Sequence, residues 1–295
     1  IAAVLFAIFC IGGSFGGGNA AQSNQATIVL KDLMGLESTA AGAIIGCIIA
    51  VIVGIIIIGG IKRIANVTEK VVPFMALMYL LACLYIILSN FSFIDDAVRL
   101  IISEAFNPTA VGVGSVIGVL LVGFKRAAFS NEAGAGSASI AHSAVKTKYA
   151  ASEGLVALLE PFIDTVVICT MTALVIIIFN FGGYFEYGGD GGMVYIDGVG
   201  YEGAGITSKA FAQYIPFSNV FLTIAVVLFA VSTMISWSYY GLQSWKFIFG
   251  RGYYADLTYK ILFLLFIVIG AASSMSSIWA FSDAMIFAMI FPNMI

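Results

Sequence analysis

Asn107–Ser139, NPTAVGVGSVIGVLLVGFKRAAFSNEAGAGSAS, is an apolar run of membrane length that breaks its own rules. It opens on Asn107-Pro108, carries Gly112, Gly114 and Ser115 inside the apolar part, and passes through Lys125-Arg126 into the polar, glycine-rich Phe129–Ser137. A glycine in a helix interior costs roughly 1 kcal/mol relative to alanine, so Gly112–Ser115 is a place where a helix opens cheaply. An opened backbone survives in lipid only where protein buries it or it lines a cavity. Gly114 and Gly118, four apart, equally suit a close-packed face between helices. The rest of the chain has to decide between these uses.

Hydrophobic residues make up 61% of the chain and charged residues 10%, with a mean hydropathy of +1.06. A soluble domain carries about 25% charged residues, so these values define a polytopic membrane protein. Apolar runs of about 20 residues each suffice for a crossing. They predict eight segments, at 1–29, 40–60, 71–89, 107–127, 154–180, 216–246, 257–274 and 277–295. The expected fold is therefore all-α, a polytopic bundle of about eight transmembrane helices in a single transmembrane domain over 1–295. Ile1 is not Met and stands within an apolar run, so the chain reads as a piece of a longer polypeptide.

Alternate loops hold Lys62, Arg63 and Lys70, then Lys125, Arg126, Lys146 and Lys148, then Lys246, Arg251 and Lys260; the opposite set holds only Lys31, Arg99 and Lys209. The positive-inside rule makes the first set cytoplasmic, so the first segment runs outward. The loop Phe181–Ile215, with Glu186, Asp190, Asp197 and Glu202, then lies outside. Ile94–Phe106 has helical apolar spacing and ends before Asn107-Pro108, which suits either an outer half-helix or a plain surface helix.

Cys10, Cys47, Cys83 and Cys169 stand singly in apolar runs and suggest neither disulfides nor a metal centre. No basic block supports nucleic acid as a partner. His142 is the single histidine, no nucleophile elbow is present and Gly134-Ala-Gly136 is too short for a phosphate loop, so the chain is read as a non-enzyme without a cofactor.

Polar residues within the membrane segments carry the functional reading. Asn19, Gln22 and Ser23 fall at i, i+3 and i+4 beside Gly16-Gly-Gly18 and share a face, where uncharged amides can hydrogen-bond a zwitterion. The competing use is amide glue between helices. Ser232, Thr233, Ser236, Trp237 and Tyr240 form one polar and aromatic stripe. The hydroxyls of Ser232 and Thr233 suit a sodium ion, and Trp237 suits the wall of a small pocket. Ser and Thr also bond their own helix backbone. Glu160, Asp164 and Asp283 are costly at membrane depth and are read as structurally paired before proton-carrying.

Phe129-Ser-Asn-Glu-Ala-Gly-Ala-Gly-Ser137, Phe162-Ile-Asp-Thr165 with Cys169-Thr-Met-Thr-Ala173, Ser232-Thr-Met-Ile-Ser-Trp-Ser-Tyr-Tyr-Gly241 and Gly18-Asn19-Ala-Ala-Gln22 resemble the alanine or glycine:cation symporter family of bacteria and archaea. The resemblance implies a leucine-transporter-type fold of two inverted five-helix repeats in the plasma membrane, with substrate and ion near the midplane. The eight segments would then be core helices three to ten, with two helices preceding them and one following. It also implies sodium-coupled uptake of a small neutral amino acid, alanine or glycine, by alternating access. Asn19 and Gln22 map to third-helix substrate contacts, Gly112, Gly114 and Ser115 to an interrupted sixth helix, and Thr233 and Trp237 to an eighth-helix pocket with sodium on Ser232 and Thr233. Phe129, Asn131 and Glu132 map to the family signature and are read as an inner gate, Asn131 or Glu132 pairing with a Lys or Arg. Proton coupling, a channel or a binding-only membrane protein remain the alternatives.

Overall fold

A computed structural model describes residues 1–105, 123, 126–127, 130–131, 134–187 and 193–295. Ten helices are labelled here: α1 (Ala2–Met34), α2 (Thr39–Ile58), α3 (Gly60–Ser89), α4 (Ile94–Ala105), α5 (Ala138–His142), α6 (Ala150–Asn180), α7 (Ala204–Tyr214), α8 (Ser218–Phe249), α9 (Tyr253–Ala272) and α10 (Met275–Met294). Among the described residues seven of them, α1, α2, α3, α6, α8, α9 and α10, are long and apolar enough to cross a membrane. The protein is thus an all-α, multi-pass membrane protein. The expected segment at 107–127, with Gly112, Gly114 and Ser115, lies almost wholly outside the described residues, as do Phe129 and Glu132.

Local chemistry sets the helix ends. Gly35, at φ 65, ends α1 in the left-handed conformation, and the Leu36 amide turns back onto the Lys31 carbonyl at 2.9 Å. Ser38 caps α2 by accepting from the Ala41 amide at 3.1 Å. Helix α3 starts at Gly60 and not near residue 71. Lys62, Arg63, Ala65, Glu69 and Lys70 are good helix formers, so the helix continues beyond the apolar run.

The chain divides into two compact units, 1–76 with 132–157 and 223–295, and 77–131 with 158–222. In the first, Ile45, Ile49, Val53 and Ile57 of α2 pack with Tyr259, Phe263 and Ile267 of α9 and Met234 and Ile235 of α8. Helices α2 and α9 approach closely because Gly42 and Gly46 face Ala271. Phe15 of α1 stacks on Phe266 at 4.7 Å, and Ser14 shares a buried hydrogen bond of 2.9 Å with Tyr259. On the opposite face of α2, Ile44, Ile48, Val51 and Ile55 are exposed, as residues facing lipid chains should be.

In the second unit Tyr79 of α3 bonds Thr172 of α6 at 2.7 Å and stacks on Phe211 of α7 at 5.6 Å. The loop after α6 folds into a hairpin, β1 (Val194–Ile196) against β2 (Val199–Tyr201), with Val194 opposite Tyr201. Its turn, Asp197-Gly198, has φ of 53 and 76, the doubly left-handed geometry that Asp-Gly supplies.

Candidate functional site

In the first unit the site is built on a wide turn. Helix α1 adopts π geometry over Gly16–Ala20, an inserted-residue arrangement frequent at functional positions. Without side chains at Gly16, Gly17 and Gly18, three helices reach its backbone. A Cβ on Gly16 would stand 2.8 Å from Ser282 Oγ of α10, and one on Gly18 would stand 2.2 Å from Trp237 Cγ of α8; on the α9 side, Gly270 lies against Ala20.

The amides predicted to share a face part company here. Asn19 is fully buried and its Nδ2 donates to the Phe263 carbonyl of α9 at 2.7 Å, which is the use as helix glue. Its Oδ1 is buried with no hydrogen bond. Ser23 and Asn24 follow the same course, donating to Ile267 at 2.7 Å and to Gly270 and Ser273 at 3.0 and 2.8 Å. Gln22 instead turns its Nε2 back to the Gly17 carbonyl at 3.1 Å, five residues earlier across the π-turn, and is half-buried. Of the two amides assigned to substrate, Gln22 is the one bonded to the glycine run and Asn19 the one bonded to α9.

The stripe on α8 divides as well. Ser232 donates to its own helix at Phe229 O, 2.9 Å away, and approaches Met75 Sδ of α3 at 3.8 Å. Thr233 is half-buried and lies four residues before Trp237, one turn away on the same face. Ser236 is tied back to the Ser232 carbonyl at 3.1 Å. Trp237 is 5% exposed, has the edge of its indole near Gly13 of α1 and meets Tyr240 edge-on at 5.6 Å. The structure therefore sets Trp237 against Gly18 of the π-turn, with Thr233 one helical turn before it on α8 and Ser232 one residue further around that helix.

The second unit holds another polar cluster, also on a π-turn. After Pro161, α6 is wide over Phe162–Cys169. Ser130 Oγ donates to Asp164 Oδ2 and lies 3.5 Å from Thr165 Oγ1 and 3.2 Å from Cys169 Sγ. Asn131 Nδ2 donates to Thr165 Oγ1 at 2.6 Å. Asn131, one of the two residues expected to pair with a Lys or Arg, makes this bond to a neutral hydroxyl; the other, Glu132, lies outside the described residues. The sequence did not reveal this meeting of Ser130-Asn131 with Asp164-Thr165; the signal available was two short polar pairs in apolar surroundings, the second just after Pro161. On the flanking segment His142 Nδ1 lies 2.7 Å from Glu153 Oε1.

Uncharged amides, hydroxyls and an indole thus gather around a π-turn inside a bundle of apolar spans, the arrangement of a multi-pass membrane protein with a polar interior. The chain belongs to the sodium:alanine symporter family, whose pattern it matches over residues 1–295. It is 37% identical over 297 residues to the sodium/alanine symporter AgcS of Methanococcus maripaludis, covering 100% of this chain and 61% of that protein. It is 31% identical to a sodium/proton-dependent alanine carrier of Bacillus sp. strain PS3, over 85% of this chain and 57% of that one. A probable sodium/glutamine symporter of Bacillus subtilis, GlnT, is 30% identical over 94% of this chain and 54% of its own length. The chain thus spans 61% or less of each of these relatives.

Proposed function

We propose that this chain forms core helices three to ten of a sodium-coupled symporter that carries a small neutral amino acid, alanine or glycine, into the cell by alternating access. The fold is then the five-plus-five inverted repeat, with Gly112, Gly114 and Ser115 as the helix break facing the substrate. The observation that carries the reading is the seat of Trp237 on Gly18, because it sets a rigid indole directly against the glycine turn to which Gln22 is bonded. Asn19 holds the turn in register through α9, and its unbonded Oδ1 supports a polar lining. The amino acid contacts Gln22, Thr233 and Trp237, and sodium takes the hydroxyls of Ser232 and Thr233. Phe129, Asn131 and Glu132 form the inner gate.

Uptake of radiolabelled alanine by proteoliposomes of the intact protein tests this. Uptake should saturate, require inward sodium and show counterflow, which a channel lacks; drive by a proton gradient without sodium would favour the proton-coupled alternative. Thr233→Val should raise the sodium needed for half-maximal uptake, and alanine affinity should recover partly at saturating sodium, since ion and substrate coupling is reciprocal. Trp237→Ala should impair alanine at every sodium concentration and admit larger side chains.

The orientation is tested separately. With the native cysteines replaced, Tyr149→Cys should react in intact cells only with permeant thiol reagents and Tyr187→Cys with impermeant ones, both positions being at least 73% exposed. The reverse pattern would invert the topology.

A further inference from the structure

We propose that the cavity between the α2–α3 connection and the α8–α9 connection holds the phosphodiester headgroup of an anionic phospholipid, bound by Lys246 and Lys260. No residue of this cavity is among those assigned to the amino acid or to sodium, so the site does not depend on what the protein carries.

The first observation is charge. Asp256 of α9 pairs with Lys246 of α8 at 2.6 Å and with Lys260 of its own helix at 2.7 Å, so two cations share one carboxylate and one positive charge is left over. The three side chains are only 17% to 25% exposed, unlike lysines standing free on a surface. A surplus charge so far removed from water is costly, and an anion in the same cavity offsets that cost.

The second is the balance of donors and acceptors. The cavity, of about 170 Å³, is lined by Tyr239, Gln243 and Lys246, spaced i, i+4 and i+7 on one face of α8, and by Lys260 across from them. Each ammonium has three protons and turns to Asp256. Among the described residues neither lysine makes a further hydrogen bond, and the Tyr239 hydroxyl and Gln243 amide make none. Donors left over in this number suit a ligand with several acceptor oxygens and a negative charge, as a phosphodiester has. The volume is several times the roughly 30 Å³ share of one water and admits a phosphate group.

The third is place. Both connections join the ends of membrane spans, on the face that the positive-inside rule makes cytoplasmic. The outward, lipid-facing stripe of α2 continues past Ile55 to Ile58, 70% exposed, and from there to Gly60 and Ile61 at the cavity wall. An acyl chain along that stripe brings its headgroup to the lysines, whereas a free phosphate makes no use of it. Tyr253 and Tyr254, exposed at the start of α9, have the amphipathic rings that sit at headgroup level. Basic pockets between spans on the cytoplasmic side are seats for such headgroups.

Native mass spectrometry and thermal unfolding of the purified intact protein with added phosphatidylglycerol decide it. Wild type should retain phosphatidylglycerol in preference to phosphatidylcholine and melt at a higher temperature with it. Lys260→Gln keeps the pair of Lys246 with Asp256, removes the surplus charge and should weaken retention about fivefold, the worth of one lysine near an anionic surface. Asp256→Asn should act in the opposite direction and strengthen retention by about the same factor, which a merely structural role of the three residues does not give. Lys148→Gln, at an exposed lysine outside the cavity, should change nothing. Equal retention of phosphatidylcholine, equal losses for Lys148→Gln and Lys260→Gln, or weaker retention by Asp256→Asn would overturn the site. Stabilisation by inorganic phosphate equal to that by phosphatidylglycerol at the same concentration would overturn the lipid as its occupant. Each of these outcomes leaves the symporter reading as it stands.

Discussion

Gly270→Ala should lower the melting temperature of the detergent-purified protein by roughly 6–12 °C. A Cβ at Gly270 would stand 2.5 Å from both Ala20 Cα and Ala20 O, so relief requires moving backbone and not turning a side chain. The contact lies in the seam where α1 hangs on α9. Asn19, Ser23 and Asn24 make hydrogen bonds of 2.7–3.0 Å across it to the carbonyls of Phe263, Ile267, Gly270 and Ser273. Overpacking a core costs about 1–3 kcal/mol, and each weakened buried hydrogen bond adds about 1 kcal/mol, so a total near 3 kcal/mol is reasonable. The control is Gly154→Ala on α6, where the added methyl meets nothing within 4 Å. That change should be neutral or stabilising by up to about 1 kcal/mol. Equal melting temperatures for Gly270→Ala and wild type would mean that the two helices do not lie this close.

The same seam shows what could be read in advance. Apolar runs located each described span because lipid demands some 20 apolar residues per crossing. The start of α3 escaped that test, because Lys62 to Lys70 prolong the helix beyond the apolar layer and leave no trace in hydropathy. The face Asn19, Gln22 and Ser23 was visible as spacing, but the Asn19 bond to Phe263 joins residues 244 apart, which periodicity cannot report. Both π-turns were equally hidden. An inserted residue shifts the faces of a helix without changing its composition, so Gln22 returns to Gly17 while Asn19 and Ser23 point to α9. The Asp197-Gly198 hairpin was legible, since Asp-Gly between Tyr195-Ile196 and Val199 is a strong turn signal, yet the loop was read only as long and acidic.

The π-turn leads to the sharpest functional expectation: Gly18→Ala should abolish sodium-driven alanine uptake, while Gly13→Ala should retain most of it. Both glycines face the same indole. At Gly13 the nearest atoms to an added Cβ are Ile286 Cγ1 at 3.4 Å and Trp237 Cζ3 at 3.5 Å, which are ordinary contacts. At Gly18 they are Trp237 Cγ at 2.2 Å and Trp237 Cβ and Cδ2 at 2.5 Å. Rotation about the side-chain bonds moves a ring but cannot move its Cβ, so no rotamer of Trp237 accommodates the methyl. Either α8 shifts away from α1, or the π-turn relaxes toward a regular helix, which alanine favours by roughly 1 kcal/mol over glycine. Each route displaces Gln22 relative to Trp237 and Thr233, the set to which the amino acid and its ion are assigned. A loss of about 2.7 kcal/mol of binding would cut affinity about a hundredfold. A double-mutant cycle separates packing from contact. Trp237→Gly removes the clashing Cβ, so in the Gly18→Ala background it should restore the melting temperature without restoring uptake. Near-normal uptake by Gly18→Ala alone would show that the indole does not rest on this turn during transport.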